Sequence, residues 1–239
     1  MKGKRFEALL KHGAVPQDKI PEIIDSDIHN YTNKKTSQMH DAGILQPEHY
    51  HKIAGSNLAD SAQFGEMFST AKVNHAVTTA LTGNEYAQPE AKRALATNEN
   101  LPKESVEHLA KHFLDKKDVH GLNSLSLFNA DKLESHHVEA IHAAYPDSAQ
   151  LNHLYTKTTG MHPDTYMKLA QKLKTGPVPT ARALARNPSL TPQAALELSK
   201  HFHPMVAHEL SQNETLPRGI RASIERNSGL DDLDIKLLG

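Results

Sequence analysis

Leu184-Ala185-Arg186-Asn187-Pro188-Ser189-Leu190-Thr191-Pro192 is the stretch whose reading decides the fold. It reads as a helix ending, an Asn, two spacer residues, a Leu, and a Pro that opens the next helix. The phrase stands also at Leu95-Ala96-Thr97-Asn98-Glu99-Asn100-Leu101-Pro102 and at Leu210-Ser211-Gln212-Asn213-Glu214-Thr215-Leu216-Pro217. A shorter copy is Ile224-Glu225-Arg226-Asn227-Ser228-Gly229-Leu230. Pro fits the first turn of a helix, where its missing N–H costs nothing. Asn tolerates the left-handed conformation, which places Asn98 just past a helix end. A recurring helical unit predicts stacked layers rather than a globule around one cleft.

The pattern extends outward from these phrases. In the unit 92–113, Glu104 falls in a first turn, favourable to the helix dipole, and Val106, Leu109, Ala110 and Phe113 share one face. The unit 181–202 parallels it, Leu109 to Phe113 matching Leu198 to Phe202, so His112 and His201 stand at equivalent positions. A third unit, 206–224, has its second helix at 218–226. The segment Leu133 to Ile141 keeps the apolar spacing, with Ser135 as its expected cap. Pro163, Tyr166, Lys168, Leu169 and Ala170 echo Pro47, Tyr50, Lys52, Ile53 and Ala54 in register. The reading is therefore all-α: an irregular helical segment over 1–58, then a helical-repeat body over 59–239, the two forming one continuous body. Turn signals lie at 55–58 and 83–88. Leu101, Leu190, Leu216 and Leu230 are expected to plug the seams between layers, each burial contributing ~1.5–3 kcal/mol.

Composition narrows the function. Charge is balanced, 27 Lys+Arg against 28 Asp+Glu, which argues against a dominant electrostatic nucleic-acid binder. There is no Cys, hence no disulfide framework, thiolate metal site or Cys nucleophile. There is no Trp and few other aromatics, too little for a base- or sugar-stacking platform. No apolar stretch reads as a signal peptide or a membrane span.

On the Asn-x-x-Leu-x-Pro phrases, residues 90–230 resemble the variant leucine-rich repeats and their HEAT-like relatives. That resemblance implies a right-handed α-solenoid of short helix pairs. Some variant repeat proteins carry an N-terminal Cys cluster for an iron–sulfur centre, which this Cys-free chain lacks. The short helices, the Asn-x-x-Leu-Pro loops and the absence of Cys and Trp also resemble virion-associated proteins of tailed bacteriophages. The resemblance implies a protein partner, either virion proteins or a second copy of the chain, and a cytoplasmic or virion location.

Seventeen His residues are the compositional outlier. His108 and His112, four apart on one helix, are the candidate metal pair. The repeated position of His112 and His201 favours instead a surface role near helix C-termini. Imidazoles titrate near ~6.5, so their number also suggests a response to acid. Asp231, Asp232 and Asp234 read as a helix first turn rather than an acid/base pair. Nucleophile elbows, phosphate loops and dinucleotide fingerprints are missing from the sequence.

The expectation is a non-enzymatic, cofactor-free scaffold for protein contacts, a bacteriophage structural component being the favoured setting. One alternative is a HEAT-like DNA-binding protein or alkylpurine DNA glycosylase, with Arg182, Arg186, Arg218, Arg221 and Arg226 as a basic stripe. Another is a phage-encoded inhibitor of a host protein. The residues that define the repeat are Asn98, Leu101, Pro102, Asn187, Leu190, Pro192, Asn213, Leu216, Pro217, Asn227 and Leu230.

Overall fold

The computed structural model describes residues 3–30, 32, 34–57, 62–201 and 203–228, with backbone only for 3, 4 and 62–64. Among these residues the regular structure is α-helix with short 3-10 turns, and there is no strand. The chain divides into two compact units, 1–112 and 113–239. Leu58, at the expected N-terminal boundary, lies outside the described residues, as do Phe202, Leu230, Asp231, Asp232 and Asp234.

The first unit contains α1 (Gly3–Lys11), α2 (Ile20–His29), α3 (Lys34–Asp41), α4 (Pro47–Ala54), α5 (Ala62–Met67), α6 (His75–Gly83), α7 (Pro89–Ala96) and most of α8 (Lys103–Asp115). The second contains α9 (Val119–Asn129), α10 (Ser135–Ala144), α11 (Asn152–Lys157), α12 (Pro163–Leu173), α13 (Val178–Ala185), α14 (Pro192–Leu198), α15 (Pro204–Gln212) and α16 (Arg218–Ser228). Within each unit a helix packs on the helix two places along. One row of the first unit is α2, α4, α6 and the other α3, α5, α7. In the second unit the rows are α9, α11, α13, α15 and α10, α12, α14, α16. The apolar spacing explains the rows. Tyr166, Leu169, Ala170 and Leu173 of α12 are all buried, as are Val106, Leu109, Ala110 and Phe113 of α8. Such faces, three and four residues apart, close only against another helix.

Prolines start the helices. Pro47, Pro89, Pro163, Pro192 and Pro204 are each the first helical residue. Pro102 and Pro217 stand one residue ahead of α8 and α16, and their carbonyls accept the first helical N–H bonds. Ser135 is not the cap of α10: it is the first helical residue, Glu134 holds the cap position, and the Ser135 hydroxyl accepts the His162 N–H at 2.6 Å.

Three helices share one kind of ending. After α1, α3 and α8 the chain turns through a left-handed residue: Gly13 (φ 61°), Gly43 (φ 69°) and Lys117 (φ 54°). Each turn closes with two backbone bonds, as in Asp118 N to Phe113 O at 2.8 Å and Lys117 N to Leu114 O at 3.1 Å. Lys117 is the one non-glycine residue with positive φ among those described. Asn98 therefore does not adopt the left-handed conformation read into it, and its burial gives the reason below. Of the match of Leu109–Phe113 with Leu198–Phe202, the last residue lies outside those described, and the helix bounds of the two segments differ. α8 runs on to Asp115, whereas α14 stops at Leu198 and the next helix opens at Pro204.

Candidate functional site

The repeated Asn is a bridge between layers. The Asn187 side chain donates both N–H groups backwards along the chain, to Tyr155 O at 2.7 Å and Thr158 O at 2.8 Å. Its Oδ1 accepts Ser189 N–H at 2.8 Å. Asn213 does the same to Ala185 O (2.8 Å) and Asn187 O (2.9 Å), accepting from Thr215 N. Asn98 reaches Phe68 O (3.0 Å) and Ala71 O (2.9 Å), accepting from Asn100 N. All three are buried. The carbonyls they reach lie at or just past the C-terminal ends of α5, α11 and α13, where a helix leaves acceptors unpaired. A primary amide has two donors and an acceptor, so it satisfies two such carbonyls and one loop N–H at once. A β-turn bond then brings in the apolar residue three places on: Leu101, Leu190 and Leu216 each donate N–H to the Asn carbonyl and are buried.

The sequence reading missed one copy. Asn84 donates to Ala54 O and Ser56 O, both at 2.8 Å, and accepts from Tyr86 N. The signal was present, but Ala87 replaces the Leu of the phrase. Asn227, by contrast, is not a copy. It is exposed inside α16, and among the described residues its side chain bonds no earlier helix end.

Histidines do related work. His201 is buried, not a surface residue. Its Nε2 lies 3.1 Å from Gly176 O, past the end of α12, and its Nδ1 accepts His203 N–H at 2.9 Å. It substitutes for the bridging Asn in the α10–α12–α14 row, with one donor instead of two. His112 lies inside α8 and is not its equivalent. His162 and His203 cap α12 and α15 by accepting Asp164 N–H and Met205 N–H. His49 Nδ1 accepts Gln46 N–H at the start of α4 (3.0 Å). His108 turns towards α6 rather than His112: its Nε2 is 2.8 Å from Thr82 Oγ1, and its ring meets that of His75 edge-on at 5.5 Å. Burial, then the nearby His75 and Lys111, lower the His108 pKa. Among the described residues no three His, Asp or Glu side chains converge as a metal cluster.

Charged residues also link neighbouring helices of a row. Lys52 meets Asp25 at 2.6 Å, Lys168 meets Glu139 at 3.2 Å, and Lys174 meets Glu197 at 2.9 Å. Lys52 and Lys168 are the matched lysines of the Pro-Tyr-Lys echo, and each reaches back two helices. The proposed basic stripe is partly consumed in the same way. Arg182 and Arg186 both clamp Glu209. Burial alone would raise the Glu209 carboxyl, but Arg186 and Arg182 hold it below the usual carboxylate range.

Two pockets open beside helix ends. One, of about 350 Å³, lies between α3 and the turn after α5, and His40 and Thr70 line it. The other, of about 450 Å³, lies between the ends of α10 and α12, where His142, Asp147 and Lys172 face it. Each holds a histidine bonded to a buried tyrosine of the following helix. His40 Nδ1 is 2.9 Å from Tyr50 Oη, and His142 Nδ1 is 2.8 Å from Tyr155 Oη. Burial pushes the Tyr50 phenol up to about 12 and lowers both imidazoles.

No helix of the described residues is long and apolar enough to cross a membrane. Comparison with protein families, with curated proteins and with solved structures finds no match.

Proposed function

We propose that the chain is a non-enzymatic helical-repeat scaffold, a right-handed α-solenoid of the variant leucine-rich or HEAT-like kind, whose role is to hold protein partners. The observation that carries this reading is the amide bridge of Asn84, Asn98, Asn187 and Asn213, which joins helix ends 26 to 32 residues apart by the same bonds. Buried amides that register one helix end on another at a near-constant spacing support a stacked repeat, and stacks present extended faces for protein contact. The sequence resemblance makes a tailed-phage particle the favoured setting. The DNA-binding reading is weakened because Arg182 and Arg186 share Glu209 within the second unit.

The test is affinity capture from the native source after mild cross-linking, with cross-linked peptides identified by mass spectrometry. The expected result is stoichiometric recovery of one or a few structural proteins cross-linked to defined helices of the chain. Recovery of nucleic acid alone, released steeply as salt rises, would replace the scaffold reading with the DNA-binding one. A chain that stays monomeric and carries no stoichiometric partner would overturn it.

A further inference from the structure

His142 stands in the last turn of α10 and is 4% exposed. Its ring meets Tyr155 edge-on, centroids 5.9 Å apart, with Nδ1 2.8 Å from the hydroxyl. Tyr155, on α11, is 1% exposed, and its carbonyl receives the Asn187 amide at 2.7 Å. The pair therefore sits directly under a bridge between layers. Burial keeps the Tyr155 phenol protonated, and among the described residues its O–H has no acceptor other than His142 Nδ1, so the hydroxyl donates and the neutral imidazole accepts. The first unit contains the same device: His40 in the last turn of α3 bonds Tyr50 of α4, with rings again 5.9 Å apart. In both cases the imidazole borders a surface pocket, which gives water a route to it.

We propose that the His142–Tyr155 pair is an acid-sensitive latch, in which neutral His142 ties α10 to α11 beneath Asn187 and its protonation loosens both helices beside the α10–α12 pocket. An imidazolium carries a proton on Nδ1 and cannot accept the Tyr155 O–H. The hydroxyl has to reverse, and a charge arises in a site with few partners. The groups facing His142 are Tyr155 from α11, Lys172 from α12 and Asp147 from the loop after α10. Burial opposes the cation most, Lys172 opposes it further, and Asp147 only partly offsets them. The folded state therefore binds this proton less readily than the unfolded chain, whose imidazole has the ordinary value of 6.5. The latch contributes fully above that value, and its contribution is lost progressively as pH falls below it.

Hydrogen–deuterium exchange on the full chain tests this, at about pH 7.5 and about pH 5 and corrected for intrinsic exchange. Protection of 135–144 and 152–157 should fall on acidification by up to about tenfold per pH unit, while α13 keeps its protection. In His142→Gln, which cannot protonate, the difference between the two pH values should vanish from these helices. Imidazole NMR titration of the unmutated protein gives a reading that needs no variant, and His142 should titrate below the ordinary histidine range. Three results would each overturn the latch: equal protection at both pH values, uniform loss that includes α13, or a His142 titrating at or above the ordinary value.

Discussion

Two kinds of helix end in this chain contrast, and the contrast separates local from long-range order. α1, α3 and α8 end on a left-handed residue, and the backbone bonds that close the turn span only a few positions. α6, α7, α13 and α15 end on a buried Asn whose side chain reaches a helix end 26 to 32 residues earlier. The first kind stops a helix, whereas the second registers one layer on another. Both supply partners to helix-end carbonyls, but only the second makes the folding of one layer depend on its neighbour.

The sharpest way to break this distinction is at Asn187. Asn187→Ala takes the side-chain partner from Tyr155 O and the Ser189 N–H in a buried site, while Thr158 O keeps the Tyr166 hydroxyl at 3.0 Å, and should cost about 3 kcal/mol. Asn187→Asp should cost at least as much. It keeps the acceptor for Ser189 N–H but turns oxygen towards the carbonyls of Tyr155 and Thr158. Asn227→Ala, at an exposed Asn that shares the sequence phrase without the bridge, should change stability by under about 0.5 kcal/mol. Guanidinium unfolding of the variants measures all three. If Asp proved much milder than Ala, the bridge would owe its strength to the local turn and not to the reach between layers.

Much of the helical pattern was legible because it is written in short-range spacing. Pro47, Pro163 and Pro192 open helices where the sequence places them, and the apolar faces of α8 and α12 follow the three-and-four rhythm. What was not legible is what the polar residues face. Asn98 reads as a local C-cap because its true partners, Phe68 and Ala71, have no sequence signal: they are carbonyls, which every residue owns. His201 reads as a surface residue for the same reason, since its partner is the backbone oxygen of Gly176. Asn227 shows the converse error, a correct phrase with no carbonyl partner among the described residues. The His142–Tyr155 and His40–Tyr50 pairs join neighbouring helices thirteen and ten residues apart, with no common spacing to betray them.

His201 allows a finer test of the same contrast, because an imidazole there does an amide's work with one donor fewer. His201→Ala leaves Gly176 O and His203 N–H without their partner and should cost about 1–2 kcal/mol, less than Asn187→Ala. His201→Asn should recover more than half of that loss, since the amide offers both the donor and the acceptor. Denaturation midpoints at constant slope measure the recovery. An Asn variant no better than Ala would mean that the ring's size, not its hydrogen bonding, fills the site.

A smaller effect than at either buried bridge belongs to the local kind of ending. Lys117 holds a left-handed backbone that Gly13 and Gly43 hold without a side chain. A residue with Cβ in that conformation carries a strain of roughly 1–2 kcal/mol that glycine lacks, and glycine gives back part of it through greater freedom in the unfolded chain. Lys117→Gly should therefore stabilise the protein by about 0.5–1 kcal/mol, and Gly43→Ala should destabilise it by a similar amount although its Cβ would meet open space. Thermal unfolding of the two variants gives the sign directly. The pair isolates backbone conformation from packing: neither change touches a bridge between layers. A loss of stability in Lys117→Gly would show that the lysine side chain contributes more there than the strain costs, and that ending would no longer count as purely local.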